Sequence, residues 1–240
     1  MLRHSFLTLS LTVLAVAPLA AQAKMGSKAD KKEDKMEMKS DKKMDHMDMD
    51  KKVKGAPLPA GWMGHTDDAS AKIEDAKFVT MGKGYHVTSG PAAIYWTATD
   101  KVSGPFTATA TLSQTKAPTH PEAYGVFFSG KNLEAANRTY YYFLVRGDGK
   151  FLVNHRAGAD VHKIVGWTDN AAVKKADAKG AATNTLTVDA SKADSVRLKV
   201  NGVQVAALSA AAAETNGGIV GLRVNHNLDV HIGDFSVTKK

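Results

Sequence analysis

The stretch Phe106-Thr-Ala-Thr-Ala-Thr-Leu112 alternates apolar side chains with threonines at every second residue. Successive side chains of a β-strand point to opposite faces, so Phe106 and Leu112 share one face with two alanines, and the threonines share the other. The alternation predicts a strand that packs one face into a hydrophobic core and turns the other toward solvent.

Neighbouring stretches extend this pattern into a sheet. Residues 139–146 are mostly apolar or aromatic on both faces, which is typical of a central strand, and Gly147-Asp-Gly149 reverses the chain into residues 151–156. Asn201-Gly202 predicts a second tight reversal. Further short strands are predicted at residues 186–188, 196–200, 203–205, 219–224, 228–232 and 235–237. With no long amphipathic helix, the pattern predicts an all-β, two-sheet antiparallel sandwich over residues 55–240.

The segment before the predicted domain has a different composition. Residues 1–23 carry Arg3 and His4, then an apolar run, then Ala21-Gln-Ala23, which predicts a signal peptide cleaved after Ala23. The apolar run is too short to span a bilayer, so we expect a periplasmic or secreted protein with no stable membrane span after cleavage. Residues 24–54 are almost entirely Lys, Asp, Glu, Met, Ser and Ala, which predicts a disordered tether.

Charge and cysteine content exclude several classes of protein. The chain of 240 residues has a formal net charge of +8 and no cysteine. The absence of cysteine excludes a disulfide scaffold and a thiol nucleophile. The lysines are spread over the tether and the strands and form no arginine-rich recognition element, so we expect no nucleic-acid partner.

Three groups of residues carry a resemblance to a known family. They are Gly90-Pro-Ala-Ala-Ile-Tyr-Trp96; Asn184-x-Leu-x-Val188 with Val196-x-Leu-x-Val-Asn-Gly202; and Gly221-Leu222 with Leu228-Asp-Val230 and Asp234-Phe-Ser-Val237. With these, the domain resembles the concanavalin A-like lectin/glucanase superfamily, and within it the exported bacterial 3-keto-disaccharide hydrolase-like domains. The resemblance implies that the sandwich over residues 55–240 is a jelly roll. The resemblance implies sugar binding or glycoside chemistry, although the motifs describe packing and turns.

The carboxylates leave the question of catalysis open. Glucanases of this superfamily carry Glu-x-Asp-x-x-Glu on one strand, and this sequence has no such motif. A retaining glycosidase needs two carboxylates about 5 to 5.5 Å apart. Glu122 with Asp160 or Asp229 is the pair that different strands could assemble, and it keeps a glycoside hydrolase-like enzyme with a non-standard site as an alternative.

Aromatic and polar side chains favour a carbohydrate-binding, lectin-like module. Aromatic rings stack on the apolar faces of sugars, while arginine, histidine and asparagine bind hydroxyl groups. If the strand ends that hold the polar triplets around His155 and His226 meet, they form a pocket with Arg146, Arg156 and Arg223; otherwise these residues are separate and solvated. The candidate contacts are Tyr95, Trp96, Tyr140, Tyr142, Arg146, His155, Arg156, Trp167 and His226. We expect a monomer whose partner is a glycan or polysaccharide.

A methionine-rich tract in the tether suggests a third function. Met44, His46, Met47 and Met49 offer thioether and imidazole ligands, which suit Cu(I). A periplasmic copper-binding protein is therefore a further alternative, in which the sandwich is a scaffold. A structural calcium ion is left open, and we expect no other cofactor.

Overall fold

The computed structural model describes residues 49–213 and 217–240. The signal-peptide prediction and residues 24–48 of the tether prediction lie outside the described residues. The compact unit that contains the sandwich extends from Asp50 to Lys240. Within the described ranges, no helix is long and apolar enough to cross a membrane.

Two antiparallel sheets of seven strands each form the described domain. In spatial order, the front sheet consists of β1 (Trp62–Thr66), β4 (Ala93–Val102), β13 (Gly218–Val224), β6 (Ala123–Lys131), β7 (Thr139–Arg146), β8 (Lys150–Ala157) and β9 (Asp160–Asp169). The back sheet consists of β12 (Val203–Ser209), β11 (Ser195–Val200), β10 (Ala182–Ala190), β5 (Phe106–Gln114), β14 (Asp229–Lys239), β3 (Gly84–Thr88) and β2 (Lys77–Met81). A single 3-10 turn, Ile73–Asp75, is the only helical element in the described residues. The predicted all-β sandwich is confirmed.

Strand β5 behaves as its alternation predicts. Phe106, Leu112 and the two alanines between them are fully buried between the sheets. The threonines face outward, where Thr111 lies 3.1 Å from Thr185 of β10 through their hydroxyl oxygens. The apolar side chains therefore fill the core, and the hydroxyls form cross-strand pairs that satisfy one another on the outer face.

Both predicted reversals are present. Strands β7 and β8 pair as a hairpin, with Tyr142 opposite Asn154. Strands β11 and β12 reverse at Asn201 and Gly202, whose φ angles are +50° and +85°. Positive φ at both central residues matches the twist of the flanking strands, which explains the Asn-Gly pair.

The front sheet carries apolar side chains on both faces. Its inner face joins the main core, and its outer face carries a second apolar cluster whose buried members are Ile94, Trp96, Ala123, Phe127, Leu133, Tyr140, Tyr142, Leu144 and Leu152. Leu133 belongs to the β6–β7 connection and packs onto this cluster although it lies outside the sheet. A Cβ at Gly221 would lie 2.5 Å from the Phe127 ring, so this glycine is what lets the ring lie across β13.

Candidate functional site

The outer face of the front sheet combines the aromatic cluster with several arginines. Tyr140 and Tyr142 project from β7 onto this face, and Asn154 and Arg156 stand opposite them on β8. The two tyrosines, both predicted contacts, are 0% and 6% exposed, so their rings mainly pack within the outer cluster. Arg223 of β13 reaches the same face, where its guanidinium contacts the Tyr140 hydroxyl. These residues form the candidate site, and the connections that follow β1 and β6 border it.

A bidentate ion pair lies at the centre of the site. Arg223 donates from Nη1 to Oδ1 of Asp67 over 3.0 Å and from Nη2 to Oδ2 over 2.6 Å. Its Nη1 also donates to the Tyr140 hydroxyl oxygen over 3.0 Å. The Arg223 side chain is 7% exposed and that of Asp67 is 24% exposed. This geometry fixes the loop after β1 against the middle of the sheet.

Two further arginines approach the same carboxylate. Arg156 Nη1 lies 3.1 Å from Asp67 Oδ1, and Arg138 donates to the backbone carbonyls of Asp67 and Thr66 over 3.3 and 3.4 Å. Burial alone would raise the pKa of the Asp67 carboxyl, but the guanidiniums of Arg223, Arg156 and Arg138 hold this pKa below its usual range. Asp67 is therefore a carboxylate at neutral pH and accepts these hydrogen bonds.

Beside the ion pair, aromatic rings and polar groups alternate. The Arg223 guanidinium carbon lies 4.7 Å from the centre of the Tyr142 ring, and Asn154 Nδ2 donates to the Tyr142 hydroxyl over 3.1 Å. Further along the face, the guanidinium carbon of Arg146 lies 4.2 Å from the centre of the Trp167 ring. Arg146 is held by Asp148 through two hydrogen bonds of 3.0 and 2.7 Å. Trp167 is half-buried, so part of its ring faces solvent.

A groove of about 470 Å³ lies at the other end of this face. It is bordered by Met63 and Trp96 on the sheet and by Leu133 and Glu134 on the β6–β7 connection. Trp96 is only 2% exposed. The predicted contact Trp96 is therefore mainly a packing residue beneath this groove.

Three other predicted contacts, Tyr95, His155 and His226, lie away from the candidate site, and Tyr95 is the most deeply buried of them. Tyr95 points into the core between the sheets, where it is fully buried, and burial raises the pKa of its hydroxyl. Since the next residue, Trp96, belongs to the outer cluster, the alternation of the strand places Tyr95 on the opposite face. The prediction of Tyr95 as a sugar contact is corrected.

The histidines do not join the arginines. His155 stacks on Tyr141 at a ring separation of 4.3 Å, on the face of β8 opposite Asn154 and Arg156. His226, after β13, pairs with Glu122 over 2.7 Å and with Asp50 over 3.3 Å. Of the three arginines expected to join them in a pocket, Arg156 and Arg223 meet at Asp67, whereas Arg146 binds Asp148 further along the face.

The proposed carboxylate pair has separate surroundings. Glu122 is bound by His226, whereas Asp229 is bound by Lys116 at 2.5 Å and His86 at 3.0 Å. Asp160 is exposed at the start of β9. The three carboxylates therefore have different partners, and the glycosidase alternative stays a prediction.

The metal hypotheses concern other parts of the chain. Met44, His46 and Met47 lie outside the described residues, and Met49 is 88% exposed. In the part of the chain that the structure describes, no group of three His, Asp or Glu side chains is arranged to hold a metal ion.

The contacts of the sandwich begin before residue 55, where the sequence predicts the domain boundary. Lys51 donates from its backbone nitrogen to Oδ1 of Asn227 over 2.7 Å.

Sequence reasoning missed Asp67 and Arg138. Asp67 lies in a polar loop, Thr66-Asp-Asp-Ala-Ser70, where nothing distinguishes it from its neighbour Asp68. Arg138 precedes β7 and resembles any loop arginine. Their partners are more than 70 residues away in sequence, so no local pattern could have identified them.

Comparison with known proteins agrees with the fold. No family model matches the sequence. No curated protein matches it either. A galectin-like protein of unknown function from Bacillus subtilis is similar at 10% identity, with 74% of this chain and 88% of that chain covered and a TM-score of 0.51. Sheep galectin-11 in complex with glycerol (13% identity, 66% and 99% covered, TM-score 0.43) and alginate lyase A1-II' (9%, 70% and 82%, 0.45) align less well.

The Bacillus structure supports a galectin-like sandwich fold. At such low identity the likeness concerns the fold alone. The narrower resemblance to 3-keto-disaccharide hydrolase-like domains stays a prediction. Function has to be argued from the site.

Proposed function

We propose that the protein is an exported carbohydrate-binding module that binds a glycan on the outer face of the front sheet. The observation that carries this proposal is the half-buried Trp167 ring, held against Arg146 at 4.2 Å on the same face as Asn154 and Arg156. An aromatic ring offers a stacking surface for a pyranose, and the neighbouring amide and guanidinium groups donate hydrogen bonds to its hydroxyls.

The site is pre-organised, which favours binding. Arg146 is fixed by Asp148, Arg156 by Asp67, and Asn154 by the Tyr142 hydroxyl. Side chains that are already held in place lose little conformational entropy when a ligand binds. The face is open on the Trp167 side, so an extended polysaccharide has access along the strands.

The experiment is a glycan-array and polysaccharide-pulldown screen of the full chain, with hydrolysis products followed by mass spectrometry. Trp167→Ala should weaken binding at least about tenfold, because it removes the stacking surface. Met81→Ala on the back sheet removes another partly exposed apolar side chain, 47% exposed, and should leave binding unchanged. Binding that survives Trp167→Ala refutes this site, and the release of products indicates an enzyme.

A further inference from the structure

The candidate site carries more positive than negative charge. The carboxylate of Asp67 is shared by Arg223 at 2.6 Å and Arg156 at 3.1 Å, and Arg138 binds the backbone carbonyl of the same residue at 3.3 Å. Arginine stays protonated at all relevant pH values. Three guanidiniums therefore surround one carboxylate.

The three arginine side chains around Asp67 are largely buried. The side chains of Arg223 and Arg156 are 7% and 12% exposed, and Arg138 as a whole residue is 6% exposed. The carbonyls that Arg138 binds satisfy hydrogen bonds but carry no net charge. Charges in such a setting are normally balanced by a partner of opposite sign, because an unbalanced charge loses hydration without compensation.

Asp148 and Asp68, two carboxylates near these arginines, are engaged with other partners. Asp148 is bound to Arg146 through both of its oxygens, and so compensates a fourth arginine. Asp68 directs Oδ1 toward the backbone nitrogen and hydroxyl of Ser70, at 2.7 and 2.8 Å. A bound anion would offset part of the remaining positive charge. Arg156 is where it would bind, since Arg156 is the most exposed of the three arginines around Asp67.

We propose that the glycan bound at this site is acidic, and that a uronate carboxylate of a polysaccharide binds to Arg156. This inference rests on the proposed function. Nε of Arg156 donates to the Gly158 carbonyl oxygen over 3.0 Å and Nη1 lies 3.1 Å from Asp67, so the uronate carboxylate would accept a charge-assisted hydrogen bond from Nη2. Asn154, two residues before Arg156 on the same face of β8, would contact the sugar ring that carries the carboxylate. Trp167 of β9 lies beside the other end of β8 and would contact another ring of the same polysaccharide.

The test compares short ligands, because a protein of net charge +8 attracts any long polyanion. Calorimetry of the full chain at about 0.15 M salt would use trisaccharides of galacturonate, glucuronate and mannuronate. Each is compared with the neutral trisaccharide obtained by reducing its carboxyl groups. We expect at least one uronate trisaccharide to bind about tenfold or more tightly than its reduced form, since a charge-assisted hydrogen bond is lost on reduction.

Two variants separate the site from general charge attraction. Arg156→Gln should abolish the preference for the uronate. Arg197→Gln removes the same charge from the back sheet, where Arg197 pairs with Asp189 at 2.9 Å, and should retain the preference. An equal loss in both variants attributes the preference to net charge and overturns the proposal. Arg156→Lys, which keeps the charge but not the fork geometry, should retain part of the preference.

The wild-type result distinguishes this proposal from the broader one. Equal binding of the acidic and reduced trisaccharides, or binding of neutral glycans alone, overturns the acidic ligand and leaves carbohydrate binding intact. Failure to bind any trisaccharide or any glycan of the wider panel overturns both.

Discussion

Asp67 and Arg223 are 156 positions apart in the sequence and form a two-point ion pair of 3.0 and 2.6 Å on the outer face of the front sheet. The pair joins the loop after β1 to strand β13, with β4 between them in the sheet. It also brings Tyr140 and Arg156 into one hydrogen-bonded group. The stability of the loop and the shape of the site therefore depend on the same contact.

Asp67→Asn should lower the free energy of unfolding at neutral pH by about 3 kcal/mol, because it leaves Arg223 buried without its counterion. Since the folded state lowers the pKa of Asp67, its contribution is fully present above the ordinary carboxyl pKa of about 4 and is lost as pH falls below it. Chemical denaturation from about pH 7 down to about pH 3 should show a weaker pH dependence in the variant.

The control for this prediction is Asp68→Asn, the next residue, whose carboxylate accepts hydrogen bonds from Ser70 alone in the described part of the chain. It should leave the free energy of unfolding at neutral pH nearly unchanged. Equal effects of the two substitutions would contradict a special role for Asp67.

The two tryptophans of the outer face should respond differently to truncation. Trp96→Ala removes a side chain that is 2% exposed beneath Leu133, and should cost about 3–5 kcal/mol of stability. Trp167→Ala removes a half-buried ring and should cost much less stability while weakening glycan binding. Thermal unfolding and glycan binding would be measured for both variants. A larger loss of stability in Trp167→Ala than in Trp96→Ala would show that Trp167 is the packing residue.

Gly221→Ala should destabilise the front sheet by about 1–3 kcal/mol. An added Cβ would lie 2.3 Å from the carbonyl oxygen of Tyr95 and 2.5 Å from the Phe127 ring. Gly166→Ala is the control, because its Cβ would meet only the flexible side chain of Lys163, at 3.3 Å. Chemical denaturation should give a lower midpoint for Gly221→Ala than for Gly166→Ala. Equal midpoints would mean that the Phe127 ring moves aside without a loss of stability.

Expression in a bacterium, followed by intact-mass analysis of the exported fraction, should find a protein that begins at Lys24. The expectation follows from the small residues at positions 21 and 23, which signal peptidases require. Ala23→Phe should block this cleavage, and Ala56→Phe, far from the predicted junction, should not. A full-length product that stays in the cytoplasm would refute export.

Replacing Met44, Met47 and Met49 by leucine and His46 by glutamine should remove Cu(I) binding, because thioether and imidazole are the soft ligands of the tether. Competition with a coloured Cu(I) chelator measures the change. Leucine at Met63 and Met81, which lie in the sandwich, should have no effect. Copper retained by the quadruple variant would place the ligands elsewhere.

The strands could be predicted because their pattern is local. The alternation of β5, the doubly apolar β7 and the Asn201-Gly202 turn each follow from neighbouring residues, and the structure confirms them. The local pattern did not assign every side chain of a strand to one face of its sheet. Tyr95 and Trp96 are adjacent aromatic residues on β4, and nothing in the sequence shows which of the two points between the sheets.

The amino-acid sequence by itself determined the all-β class, the two hairpins and the positions of most strands, because periodicity and turn chemistry act over a few residues. Only the tertiary structure decided that Leu133 packs onto the outer face of the front sheet and that Asp67 contacts three arginines. Those contacts depend on strand order and on loops that fold back across the sheet, and they join residues too far apart in the chain for any local pattern to record.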